Sequence, residues 1–137
     1  MDRPIVEEKL ESLRRCLTRI ELRCPPTLAV LENDVDAQDI VSVNLTRAIQ
    51  LAVDVAAHAL SGTAQAPPAT MGESFQQLAE AGMISGELGQ RLKAAVGFRN
   101  IAVHSYRKID WAVVFAICTD HLGDFEAFAR QVLRQSA

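Results

Sequence analysis

Val6-Glu7-Glu8-Lys9-Leu10-Glu11-Ser12-Leu13-Arg14-Arg15-Cys16-Leu17-Thr18-Arg19-Ile20-Glu21-Leu22-Arg23-Cys24 sets its apolar stripe at Val6, Leu10, Leu13, Leu17, Ile20 and Cys24. Steps of four and three residues draw one line along an α-helix; a strand would repeat every two. Pro4 stands where a first-turn proline is tolerated, and Pro25-Pro26 ends the helix. A short helical turn is expected from Thr27 to Asn33.

The same reading carries outward along the chain. A second long helix is expected from about Asp36, as N-cap, to Leu60, with Gly62 as the stop. Its apolar face carries Ile40, Val43, Ile49, Ala52, Val53, Ala56 and Leu60. Its other face carries Arg47, Asp54 and His58, with Asp54 and His58 one turn apart and spaced to pair. Gly62, Pro67 and Pro68 mark the main break. Thr70-Met71-Gly72-Glu73 has the form of a capping box for a short helix from about Glu73 to Ala81, which Gly82 ends. Ser85 caps the next helix, carrying Leu88, Leu92, Ala95, Val96 and Phe98. Asp110 caps the last, carrying Trp111, Val114, Phe115, Cys118, Leu122, Phe125, Phe128 and Val132. With no alternating strand pattern and no repeat, the expected fold is all-α: an up-and-down bundle of four to five helices in one domain, residues 1–137.

Composition narrows the setting. Hydrophobic residues make up 49% of the chain, enough to bury a core at this length. Charges interrupt every apolar stretch well short of the roughly 20 residues of a membrane span. Met1-Asp2-Arg3-Pro4 lacks the apolar core of a signal peptide. Cys16, Cys24 and Cys118 are odd in number and far apart, with no CxxC, and read as free thiols rather than as a disulfide or metal set. These features predict a cytoplasmic protein.

The net charge of -3 conceals an asymmetry. Residues 91–108 contain Arg91, Lys93, Arg99, Arg107 and Lys108 and no acid. Residues 24–90 contain eight acids and only Arg47. Phosphate binding follows the local field, so the basic segment keeps nucleic acid open as a partner. The acidic stretch from Glu32 to Asp39 is a candidate contact for a basic partner surface, although helix capping explains part of it.

The chemistry concentrates in Val96-Gly97-Phe98-Arg99-Asn100-Ile101-Ala102-Val103-His104-Ser105-Tyr106. A guanidinium matches phosphate oxygens with a planar fork, and imidazole exchanges protons near neutral pH. RNA supplies its own nucleophile, the 2′-hydroxyl. Cleavage then needs a base, a stabiliser of the pentacoordinate phosphate and an acid, and no metal or cofactor. On one continuous helix Arg99 and His104 would point about 140° apart. β-Branched Ile101 and Val103 favour fraying, so the helix is expected to end between the two and turn His104 back. One histidine per chain does not easily serve as both acid and base, which favours a homodimer with facing motifs. Taken singly, each residue has a plainer explanation: a histidine beyond a helix is usually exposed or capping, and a tyrosine is usually packed.

Taken together, Phe98-Arg99-Asn100 and Val103-His104-Ser105-Tyr106 resemble the Arg-x4-His-x-Tyr motif of the HepT-like toxins of the HEPN superfamily. Residues 45–56 resemble that family's second helix. Glu73-Ser74-Phe75 through Gly82-Met83-Ile84 resembles its middle segment, and Lys108-Ile109-Asp110 the start of its last helix. The resemblance covers about Ala37 to Phe128. Ser105 stands where the family often has an acid.

The resemblance implies an all-helical homodimer and a metal-independent ribonuclease toxin, with Arg99 and His104 in a composite site in the dimer cleft. It implies a cognate, ATP-using nucleotidyltransferase antitoxin that can transfer AMP to the motif tyrosine, Tyr106, blocking the site with charge and bulk. Asn100 would orient the site or bind substrate. Arg47 and Asp54 match polar positions of the second helix and take supporting roles. The competing reading is a catalytically silent helical module that binds a nucleotide or a partner, with Arg99 on a phosphate and His104 structural. The intact Arg99, His104 and Tyr106 set argues against it.

Overall fold

The computed structural model describes residues 1–135. Helix α1 spans Arg3–Arg23, with Asp2 as N-cap and Pro4 in its first turn. The expected stripe is buried from Val6 to Ile20, joined by Cys16, and Cys24 is the half-buried C-cap. Helix α2 is Leu28–Asn33, capped by the Thr27 hydroxyl. Helix α3 is Val35–Leu60, α4 Met71–Glu80 and α5 Gly86–His104. A 3-10 turn, Tyr106–Lys108, leads to the last helix. That helix runs through Trp111–Ala116, a π turn at Ile117–His121, and Leu122–Gln135; we treat it as one rod, α6 (111–135).

The described residues thus form six helices rather than four to five. α2 is a helix in its own right because the Thr27 hydroxyl caps its first turn, accepting from the Val30 amide at 3.3 Å. The N-cap of α3 is Asp34, two residues before the expected Asp36. Asp34 Oδ1 accepts from the Ala37 amide at 3.0 Å, and Asp36 lies in the first turn beside the positive helix end. Gly62 does not end α3 in a left-handed turn. Ser61 and Thr63 do the work by donating their hydroxyls to the carbonyls of His58 and Leu60, both at 2.7 Å. The capping box holds: Thr70 Oγ1 accepts from the Glu73 amide, and Glu73 reaches back to the Ala69 amide.

Helix α3 is the central rod. It lies along α1 and also packs against α4, α5 and α6. It buries Val41, Leu45, Ala48, Ile49, Ala52 and Val55, while the expected core residue Val43 is 46% exposed. By length and composition alone α3 could cross a membrane, but 56% of its most apolar window is buried inside the bundle. Helices α4 and α5 approach closely at Gly89, where a Cβ would stand 3.1 Å from the Phe75 carbonyl oxygen. Gly82, at φ 75°, supplies the left-handed turn that ends α4. Phe75 and Phe128 meet edge to face at 5.8 Å in the core. The Cys24 and Cys118 thiols hydrogen-bond to each other where α1 ends against the π turn of α6.

Candidate active site

Helix α5 does not stop between Arg99 and His104. It continues to His104, and the Ser105 amide still donates to the Ile101 carbonyl at 2.8 Å. The cost of β-branching at Ile101 and Val103 is a few tenths of a kcal/mol each, too little to break a helix that Ala102 still anchors to the core. Arg99 and His104 therefore leave the rod about 140° apart.

The two side chains also sit differently. Arg99 follows the buried line of Leu88, Leu92 and Val96 and is half-buried. Its Nη1 donates to Asn100 Oδ1 at 3.2 Å. Its Nε is buried with no hydrogen-bond partner among the described residues. A buried donor left unpaired costs about 1–3 kcal/mol, so the guanidinium carries an unmet hydrogen-bonding demand among the described residues. His104 is exposed on the last turn of α5, with no side-chain partner among the described residues.

Tyr106 opens the 3-10 turn. Its hydroxyl donates to Asp39 Oδ1 at 2.6 Å, Ser42 Oγ lies 3.4 Å from it, and its ring meets Trp111 edge to face. This tie fastens the segment after α5 to the first turns of α3. Partial burial, followed by the bond to Asp39, pushes the phenol above its usual range. The raised value favours the protonated phenol, which persists to higher pH than in the unfolded chain. Tyr106 is the only tyrosine, so absorbance at alkaline pH reads it alone. We expect a midpoint above that of a free tyrosine in the folded protein, and a lower midpoint in Asp39→Asn. An unchanged midpoint in that variant would refute the coupling.

The remaining expected residues do not join the motif. Asp54 accepts from Gln50 at 3.1 Å and pairs with Lys9 at 3.8 Å, so it is engaged within α3 and with α1 and does not pair with His58. Arg47 is exposed in a groove between α1 and α3. The basic segment is also less charged than its composition suggests. Arg91 is bound by Asp124 at 3.0 Å and Glu87 at 3.4 Å, while Lys93 donates to the Gln76 amide oxygen at 3.2 Å; Lys93, Arg99, Arg107 and Lys108 thus have no acid partner among the described residues. Within the acidic stretch, Asp34 caps α3 and Asp39 holds Tyr106, leaving Glu32 and Asp36 for any partner.

Sequence reasoning missed Asp39 and Ser42 as the partners of Tyr106. Their i, i+3 spacing on α3 was available as a signal, but nothing in the chain indicates which distant hydroxyl they meet. Among the described residues no three His, Cys, Asp or Glu side chains converge as metal ligands would.

Comparison with known proteins follows the same lines. A family model described as ribonuclease HepT-like matches residues 13–132. The chain is 33% identical over 124 residues to the mRNA nuclease HepT of Shewanella oneidensis, covering 90% of this chain and 92% of that one. It is 27% identical over 128 residues to the tRNA nuclease HepT of Aphanizomenon flos-aquae, covering 93% and 87%. The fold superimposes on the tri-AMPylated Shewanella oneidensis HEPN toxin, solved in complex with its MNT antitoxin. The TM-score is 0.88 at 32% identity, covering 95% of this chain and 97% of that one.

Proposed function

Because this chain belongs to the HepT-like ribonuclease family, we propose that it is the toxin of a toxin–antitoxin pair, that it cuts RNA without a metal, and that a nucleotidyltransferase antitoxin silences it by adding AMP to Tyr106. The observation that carries the catalytic part is Arg99: a half-buried guanidinium with an orphaned Nε, its Nη1 bonded to Asn100, on the same helix as an unengaged histidine five residues on.

In this reading the working unit is a homodimer. Arg99 and His104 diverge on α5, so a second copy must bring its own motif opposite the first. The surface beside the motif suits such a copy. Ile101, Val103 and Val113 are 43%, 50% and 48% exposed, next to a groove of about 410 Å³ lined by Phe98, Ile109 and Ile117. In the cleft, one imidazole takes the 2′-hydroxyl proton and the other protonates the leaving 5′-oxygen. The guanidinium groups hold the phosphate as its charge grows. Asp54 and Arg47 lie outside this cleft and take supporting roles.

Silencing uses the tyrosine. The phenol oxygen attacks the α-phosphorus of ATP, the bond to the bridging oxygen breaks and pyrophosphate leaves. Asp39, already 2.6 Å from the hydroxyl, is placed to take the proton. The attached AMP brings a negative phosphate and a nucleoside next to the site an RNA phosphate must reach. RNA and ATP place both activities in the cytoplasm, with residues 1–137 acting as one domain.

The reading is tested directly by incubating purified protein with RNA in excess chelator. Cleavage at an undiminished rate is expected. Cleavage that depends on added divalent metal, or no cleavage of any RNA, would end it.

A further inference from the structure

Three arginines converge where α1 meets α3. Arg15 and Arg19 stand one turn apart on α1, about 6 Å along the axis, and Arg47 faces them from α3. Together with Asn44 and Gln50 they line a groove of about 490 Å³. Arg15 donates to Ser12 at 2.9 Å. None of the three arginines has an acid partner among the described residues, although Arg14 next door is bound by Glu11 at 3.4 Å. Like charges one turn apart repel, and no acid in the groove offsets them. The floor registers their joint field: burial pushes the Cys16 thiol up, while Arg47, Arg15 and Arg19 each pull it back.

The groove is also well placed. Ser42, which meets Tyr106, and Arg47 are five residues apart on α3, about 140° around the rod and about 7.5 Å along it. Between their directions lies the arc that carries Val43, which is exposed, and Gln50, which is half-buried, together with Asp39, held by Tyr106, and Asp54, held by Gln50 and Lys9. An open face of α3 therefore joins the segment after α5 to the α1 arginines.

We propose that Arg15, Arg19 and Arg47 form a second phosphate-binding subsite that holds the RNA strand away from the cut, across the outward face of α3 from the motif. This rests on the ribonuclease reading. Planar guanidinium forks without carboxylate partners suit phosphate oxygens, and an open groove admits a flexible strand. The subsite positions substrate and takes no part in bond breaking.

The test uses the full-length His104→Ala protein and a fluorescent single-stranded RNA, with anisotropy measured across a salt series. Replacing Arg15 and Arg19 together by Gln is expected to weaken binding about tenfold or more at low salt. It should also flatten the slope of log affinity against log salt by roughly 0.7 to 1.4, since each phosphate contact on a single strand contributes about 0.7. Replacing both by Lys should keep most of the slope, and Arg14→Gln should match the parent. In the protein with His104 intact, the Gln pair should raise KM and leave kcat within about twofold. Matching thermal melts establish that the variants fold. An unchanged slope and KM in the Gln pair overturn the subsite and leave the ribonuclease reading standing. Loss of antitoxin binding with RNA binding intact also overturns it, and assigns the groove to an acidic protein surface. If the unaltered protein neither binds nor cuts RNA, the ribonuclease reading itself has failed and the subsite with it.

Discussion

Replacing His104 by alanine is expected to cut RNA cleavage by about 10²- to 10⁴-fold, the usual loss when a positioned proton-transfer group is removed. Arg99→Ala should lose about 10²- to 10³-fold, because the stabiliser of the phosphate charge is gone. His104 is exposed and Arg99 is only half-buried, so neither change should unfold the bundle, and circular dichroism can verify this. The geometry adds a sharper expectation. A helix that keeps both residues on one rod, about 140° apart, needs the partner to complete the site. Co-expressed Arg99→Ala and His104→Ala chains form mixed dimers in which one intact arginine faces one intact histidine. These dimers hold one guanidinium and one imidazole, so they should exceed the rate of either variant alone but stay far below the wild type, which has two imidazoles to share the base and acid roles. If mixing restores nothing while mixed dimers demonstrably form, each chain must use its own pair, and the cross-protomer site is wrong.

Tyr106→Phe should separate toxicity from its control. The ring keeps its edge contact with Trp111 and loses only the oxygen. RNA cleavage should therefore stay near the wild-type rate. Incubation with the antitoxin and ATP should add AMP to the wild-type chain and none to the variant, as read by intact mass. Cells carrying the variant should then be arrested even when the antitoxin is present. An AMP gain on Tyr106→Phe would place the modification elsewhere. Full rescue of those cells by an antitoxin that adds no AMP would mean that binding alone silences the toxin.

The helices were legible because their causes are local. The stripe from Val6 to Ile20, the hydroxyl and carboxylate caps at Thr70, Ser85 and Asp110, and the left-handed Gly82 are written within four residues of where they act. The motif residues were legible as chemistry for the same reason. The tertiary arrangement around them was not. Whether α5 ends before or after His104 depends on Ala102 being held by the core, which outweighs the weak preferences of Ile101 and Val103. Asp54 looked spaced for His58 but meets Gln50 and Lys9, and Lys9 belongs to another helix. Asp39 and Tyr106 are 67 residues apart in the chain. No periodicity reports such a meeting, since it is decided by how α3 and α5 cross. The basic segment lost Arg91 to Asp124 in the same way.

The thiols have a practical use. Burial holds all three cysteines above the ordinary range, and Cys24 and Cys118 are further engaged with each other. Maleimides are attacked by the thiolate, which is scarce at neutral pH in such settings. A single new cysteine at an exposed position, such as Ala66 in the α3–α4 connection, should take up a fluorophore far faster than the native three. The unaltered background can thus report subunit exchange or distance by energy transfer without a cysteine-free parent.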